Sequence, residues 1–271
     1  MHSPCKTSKV WAQRALYAAV RVFGPAVIPG DRAPWTDVID ESLWRELSNE
    51  WEPLIGDIDA AALYTRPQSE RHGWSALLFR RGIAIAFARV DPDWTRIRSE
   101  FEVLNLVHAA KPRTFQVVRP IGAGQAGSRS WMLSTSVPNY PLGAVRKRAT
   151  RSRVATEISE ILSVRLPRPD GVPAHWTPAH GDFSPWNTRT QLSGVVRVID
   201  WEDAGYAPPG LDDLYGDVTA FATFGGERPR PTIPETRAWL RQRLERRVSE
   251  QPSASRDQTR LMEILDDVPV S

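Results

Sequence analysis

The stretch that most constrains this chain runs from His180 to Glu202, HGDFSPWNTRTQLSGVVRVIDWE. Proline lacks a donor N–H and clashes with the preceding helical turn, so Pro185 puts Asp182 and Asn187 in a loop and not on a helix face. Gly194 supplies a turn, and Val195-Val196-Arg197-Val198-Ile199 is β-branched enough for a short strand that ends at Asp200. The predicted unit is a loop carrying a carboxylate and an amide, then a hairpin, then a second carboxylate at a strand end.

Those groups suit the handling of a metal-bound phosphate. One carboxylate orients or deprotonates an attacking hydroxyl, while an amide oxygen and a second carboxylate hold the Mg²⁺ that bridges nucleotide phosphates. HGDFSPWN followed by VIDWE resembles the H-G-D-x-x-x-x-N and I-D-W-E pair of the aminoglycoside phosphotransferase and choline kinase group, relatives of the protein kinases. Carried over residue by residue, the resemblance implies Asp182 as catalytic base, Asn187 as a metal ligand and Asp200 as the main metal ligand. It also implies His180 as the histidine that braces the loop, and Asp213, in PPGLDDLY, as the carboxylate that secures it from below. Read as residues alone, the same stretch is two solvated acidic turns around a hairpin; the order and spacing of all five favour the kinase-like site.

The 271 residues are enough for one large domain or two small lobes. A single cysteine, Cys5, excludes an internal disulfide and favours a reducing compartment. No apolar run approaches bilayer length and no signal-peptide order opens the chain, so the cytoplasm is the expected location, without stable membrane insertion. The net charge of +3 is uneven. Residues 1–30 carry Lys6, Lys9, Arg14 and Arg21 and no acid, whereas residues 198–226 carry Asp200, Glu202, Asp203, Asp212, Asp213 and Asp217 and no Lys or Arg. That acidic floor would attract Mg²⁺ and a cationic acceptor.

Residues 10–23 fit an amphipathic helix with Trp11, Ala15, Ala18, Ala19 and Val22 on one side, expected to pack on its own protein. Residues 24–42 read as a linker and 42–51 as a short helix. Residues 74–79 and 83–90 read as strands joined at Arg80-Arg81-Gly82, 95–109 as a helix, and 115–118 and 131–135 as two further strands. Strand, strand, helix, strand, strand is the order of the nucleotide-covering lobe of kinase-like folds.

In that lobe the resemblance implies a lysine for the α- and β-phosphates, held by a helix glutamate. Glu100 fits the glutamate, with Leu104 and Val107 following at helical spacing. The lysine position is Arg89, and no lysine lies between Lys9 and Lys111. Arginine binds phosphate but is bulkier and planar, so the exchange is not conservative. Gly122-Ala-Gly124-Gln-Ala-Gly127 has the form G-x-G-x-x-G, yet the segment after it reads as a strand and not a helix, so it is predicted to be a hairpin turn. The expected phosphate cover is His72-Gly73-Trp74-Ser75, with Gly73 and Ser75 contacting the nucleotide. The basic cluster Arg146 to Arg153 lacks interleaved aromatics and speaks against nucleic acid. Pro234 opens a helix to about Glu250, with Leu240, Leu244 and Val248 inward and five arginines on a surface face.

The expected fold is therefore α+β, a two-lobed protein-kinase-like architecture with ATP and Mg²⁺ in its cleft. Residues 1–50 would form an N-terminal helical extension, 51–136 the small lobe and 137–271 the catalytic lobe. The expected activity is phosphoryl transfer to a hydroxyl of a small-molecule acceptor: an aminoglycoside, amino alcohol, sugar or amino acid. The alternative is a pseudokinase that binds nucleotide or a protein partner without chemistry, for which Arg89 and the glycine-poor cover speak. A metal hydrolase on His180, Asp182 and Asp200 would want more histidines than the sequence places nearby.

Overall fold

The computed structural model describes residues 7–23, 39–65, 73–137, 142–191, 193–250 and 255–271. His72 of the expected phosphate cover lies outside them. The chain divides into two compact units, the first comprising Thr7–Asn105 and Val118–Pro141, the second Leu106–Val117 and Leu142–Ser271.

In the first unit the order is α1 (Thr7–Phe23), α2 (Glu41–Ile55), β1 (Ala60–Thr65), β2 (Trp74–Arg80), β3 (Ile83–Asp91), α3 (Trp94–Ala110), β4 (Pro120–Ala126) and β5 (Arg129–Ser134). The last turn of α3 is counted with the second unit. The five strands form one antiparallel sheet in the order β1-β2-β3-β5-β4. Between β2 and β3 the consecutive left-handed residues Arg81 (φ 50°) and Gly82 (φ 73°) make the tight turn that matches strand twist. Alternate residues of β2, Trp74, Ala76 and Leu78, point into the core. There they meet Leu47 and Trp51 of α2, with the Trp51 ring 6.4 Å from those of Trp74 and Trp131. The Asp40 side chain caps α2 by accepting from Ser42 N at 2.7 Å. A boundary at residue 50 would cut this helix in mid-core, so α2 is part of the first unit and not of an extension.

Two expectations differ here. Among the described side chains of α1, Val10 is covered, but Trp11 is 60% exposed and Leu16 37%. Its face is mostly alanine and offers little area to drive packing. Of the glycine-rich segment only Gly127 (φ 55°) lies in the hairpin turn, while Gly122 and Gly124 lie within strand β4. Its glycines answer to packing: a Cβ on Gly124 would lie 2.7 Å from Trp131 Cζ2, and one on Gly122 2.8 Å from Leu54 Cδ1. Strand β1 was not foreseen, because its run Ala-Ala-Ala-Leu-Tyr-Thr is poor in β-formers.

The second unit contains β6 (Gly143–Ala144), α4 (Arg148–Arg165), β7 (Thr177–Ala179), β8 (Thr188–Thr190), β9 (Val196–Val198), β10 (Gly205–Ala207), α5 (Leu211–Phe224), α6 (Pro234–Glu250) and α7 (Ser255–Asp266). Its sheets are short and antiparallel, β6-β8-β9 and β10-β7. Residues 115–118 form no strand; Gln116 alone bridges to Arg197, its N–H donating to Val196 O and its carbonyl accepting from Val198 N. Leu211, Leu214 and Val218 of α5 pack with Leu240 and Leu244 of α6 and Leu261 and Leu265 of α7. That bundle carries the candidate site on its β7 and α5 side. Among the described residues no helix is long and apolar enough to cross a membrane.

Candidate active site

The loop after β7 is built outward from a buried carboxylate. Asp212, in the first turn of α5, accepts from His180 N at 2.7 Å and Gly181 N at 3.0 Å. Gly181 has φ 83°, and a Cβ there would stand 2.1 Å from the Asp203 carbonyl oxygen, so only glycine turns the chain at this point. His180 is fully buried with its ring 4.7 Å from Trp201. Its Nδ1 accepts from Asp182 N at 3.2 Å, which leaves the proton on Nε2 to donate to Ile199 O at 3.1 Å. One imidazole thus joins the loop to the strand end that precedes Asp200.

Beyond His180 the loop closes on itself. Ser184 N donates to Asp182 O at 2.8 Å, and Ser184 O accepts from Asn187 N and Thr188 N. Asn187 Nδ2 donates to both Asp182 O (3.0 Å) and Asp182 Oδ2 (2.9 Å). Ile199 N donates to Asn187 O at 3.1 Å. Asp182 and Asn187 are therefore in direct contact, and Asp200 follows the residue bonded to both Asn187 and His180. Asp200 itself is left-handed, φ 66°, a conformation costly for a non-glycine residue and frequent where a side chain is aimed for a purpose.

The carboxylate expected to secure the loop is one residue off. Asp213 does not meet the loop: its Oδ1 accepts from Ser152 Oγ and Arg230 Nη2, both at 2.6 Å. Neighbours on a helix point about 100° apart, so only one of the two aspartates can face His180, and it is Asp212. Burial pushes the Asp212 carboxyl above its ordinary value, against the two N–H bonds that favour its charge.

The acidic run does not form an open anionic floor. Asp203 pairs with Arg243 (2.8 Å) and Arg247 (2.9 Å), Asp213 with Arg230, and Asp217 with Arg148, Arg151 and Arg230 at 3.0–3.2 Å. Asp212 is committed to the loop. Four of the six acids are thus neutralised or buried from within, which removes the argument for a cationic acceptor.

Three residues at the site carried no sequence signal beyond their place beside apolar positions: Tyr215, Arg243 and Arg247. The α6 arginines are not all on the surface. The Arg243 side chain is 8% exposed and that of Arg247 13%. Arg247 Nη1 donates to the Tyr215 hydroxyl at 3.0 Å and stands 3.5 Å from Asp182 Oδ1. Burial opposes the Asp182 charge, but Arg247 and then Arg243 outweigh it and hold the carboxyl below its ordinary value. Tyr215 is pushed up by burial and by that nearby negative charge.

In the first unit Arg89 and Glu100 meet as expected of neighbours on β3 and α3, with Nη1 2.5 Å from Oε2 and both side chains over nine-tenths buried. Ser75 sits opposite Arg89 in the β2–β3 ladder. Gly73, just before β2, lies against Val90 and Asp91, where a Cβ would be 2.8 Å from Val90 O.

The model of the phosphotransferase enzyme family, APH, matches residues 139–215, which include the whole loop and Asp200. No curated protein sequence matches the chain. A solved structure described as a fructosamine-3-kinase of Haemophilus somnus 129PT is similar at TM-score 0.50 and 13% identity, covering 83% of this chain and 98% of that one. A spectinomycin phosphotransferase bound to ADP and spectinomycin is similar at TM-score 0.47 and 10% identity, over 81% and 88%. An amicoumacin kinase with AMP-PNP is similar at 0.46 and 10%, over 85% and 86%. The first of these bears out the kinase-like fold.

Proposed function

Taking the chain as a small-molecule phosphotransferase of the aminoglycoside phosphotransferase and choline kinase group, we propose that it transfers the γ-phosphate of ATP, with Mg²⁺, to an acceptor hydroxyl. The observation that carries the reading is the Asn187 amide bridging the main-chain and side-chain oxygens of Asp182. With its nitrogen so committed, the Asn187 carbonyl oxygen faces away from the carboxylate, which suits a cation ligand. Asp200, turned by its positive φ at the strand end, is the second oxygen donor of that set.

Bound Mg²⁺ would draw charge from the phosphate oxygens and orient them for in-line attack. The chain's own residues do the rest. Asp182 accepts the acceptor's hydroxyl proton as its oxygen forms the new P–O bond, and the β–γ bridging bond breaks with its electron pair leaving on ADP. Arg89, steadied by Glu100, contacts the α- and β-phosphates, with Gly73 just before the covering strand and Ser75 within it. The buried Arg89–Glu100 pair supports this role, since an arginine so held presents a fixed cation.

The test is Asp182→Asn against wild type, assayed for ADP release with kanamycin, choline, ribose and homoserine as acceptors and for the Tm shift caused by ATP and Mg²⁺. Turnover lost with the ATP shift retained is the expected result. A variant as fast as wild type would remove Asp182 as base, and wild-type nucleotide binding without turnover on any acceptor would favour the pseudokinase alternative.

A further inference from the structure

The proposed base is gripped from two sides, and only one grip belongs to its own loop. Asn187 holds Oδ2. Oδ1 is enclosed and faces Arg247 Nη1 across 3.5 Å, an ionic distance, with the Tyr215 hydroxyl beside the same carboxylate. The 14% exposure that the Asp182 side chain keeps is therefore not at Oδ1. With Oδ1 enclosed, the Oδ2 edge beside Asn187 is the one left for an incoming hydroxyl.

We infer that Arg247, reaching in from α6, is a positioning residue for phosphoryl transfer: it fixes the Oδ1 edge of Asp182 so that the Oδ2 edge is turned to the acceptor. This rests on the phosphotransferase reading above. Three observations separate the role from simple helix anchoring. Arg243 already ties α6 to Asp203, whose backbone carbonyl stands against Gly181, so that link does not need Arg247. The Arg247 guanidinium is divided, Nη2 to Asp203 at 2.9 Å and Nη1 toward Asp182 and the Tyr215 hydroxyl. Such a planar fork fixes direction as well as charge, which a point charge cannot. Finally, two arginines and two aspartates make the cluster neutral, so Arg247 orients the base without creating a net anion site beside it.

A misplacement of about 1 Å at a reacting group costs on the order of 100-fold in rate. Arg247→Ala is accordingly expected to lower kcat about 100-fold, with the KM for ATP changed less than threefold. Arg247→Lys should recover part of the loss, and methylguanidine added to Arg247→Ala should raise its turnover in a saturable way. Asp203→Asn, which weakens the anchor but leaves Arg247 beside Asp182, should lower Tm while keeping kcat within about tenfold of wild type.

The assay uses ATP and Mg²⁺ with water and with the four acceptors named above. A folded Arg247→Ala whose kcat stays within threefold of wild type overturns the positioning role and leaves the phosphotransferase reading intact. So does a loss that tracks Tm alone and answers to neither lysine nor methylguanidine. If Arg247→Ala does not fold, Arg247→Lys carries the test: a kcat drop at unchanged ATP KM supports the role and unchanged kcat overturns it. A wild-type chain without turnover on any acceptor, water included, overturns the phosphotransferase reading and this role with it.

Discussion

The Gly181 N–H donates to Asp212 Oδ1 at 3.0 Å, so the residue that turns the chain into Asp182 hangs from the first turn of α5. The other oxygen of Asp212 takes the His180 N–H. Both donors lie in buried backbone, and Asp212→Asn would set an amide NH₂ against one of them. Leaving a buried donor unsatisfied costs about 1–3 kcal/mol. Asp212→Asn is expected to lower Tm by several degrees and to cut turnover, because Asp182 follows the displaced glycine. Asp213→Asn, whose carboxylate is about a third exposed and paired with Arg230, should cost less than ~1 kcal/mol. Denaturant titration of the two variants side by side checks the assignment; equal losses would return the supporting role to Asp213.

The Arg89–Glu100 pair makes the second prediction. Removing one partner of a buried ion pair costs about 3–5 kcal/mol, more than the pair contributes against an apolar replacement. Glu100→Ala should therefore destabilise the first unit strongly, visible as a lower denaturation midpoint. Arg89→Lys keeps the charge but shortens the reach and loses the fork. Its expected outcome is a folded protein whose KM for ATP moves by less than about tenfold, or 1.4 kcal/mol. Unchanged ATP affinity in Arg89→Met would remove Arg89 from the nucleotide site.

Glu157 on α4 gives a pH-dependent prediction away from the candidate site. Burial alone would push its carboxyl up, but the N–H groups of Arg113 (2.6 Å) and Thr114 (2.7 Å) and the Thr114 hydroxyl outweigh it. They hold it below the ordinary glutamate value of 4.5. A depressed pKa means that the unfolded chain binds the proton more readily. The stabilisation is thus fully present above about pH 5 and is lost as pH falls through the lowered folded value. Glu157→Gln should be less stable than wild type at pH 7, and the gap should close toward pH 3. A gap independent of pH, measured by urea unfolding, would show that the carboxylate charge contributes nothing.

How much was legible in the sequence depends on how local each signal was. His180, Asp182, Asn187 and Asp200 lie within one loop and hairpin, so one short stretch carries the family resemblance that singles them out. The β2–β3 hairpin announced itself through Arg81-Gly82, and α6 through Pro234. Asp212 was confused with Asp213 because a one-residue rotation on a helix decides which of two identical side chains faces inward. Arginines beside an apolar stripe are usually solvated, and nothing local sets Arg243 and Arg247 apart from that pattern. Their inward turn depends on Asp203, about forty residues earlier, and no local pattern carries that. The glycines of β4 misled for the opposite reason: a turn and a strand crowded by tryptophan both demand glycine, and only the partner ring tells them apart.

That last distinction can be measured. A Cβ on Gly124 would stand 2.7 Å from Trp131 Cζ2 and 3.0 Å from Cε2, and Trp131 is buried with its ring 6.4 Å from that of Trp51. Overpacking of this kind costs about 1–3 kcal/mol. Gly124→Ala should lower the unfolding midpoint accordingly, while Gly143→Ala in β6, whose nearest neighbours are 3.7 Å away, should stay within about 0.5 kcal/mol of wild type. If β4 is crowded by tryptophan and not shaped for phosphate, the folded Gly124→Ala protein will keep the wild-type KM for ATP. A tenfold rise in that KM at an unchanged midpoint would instead place the glycine-rich strand against the nucleotide.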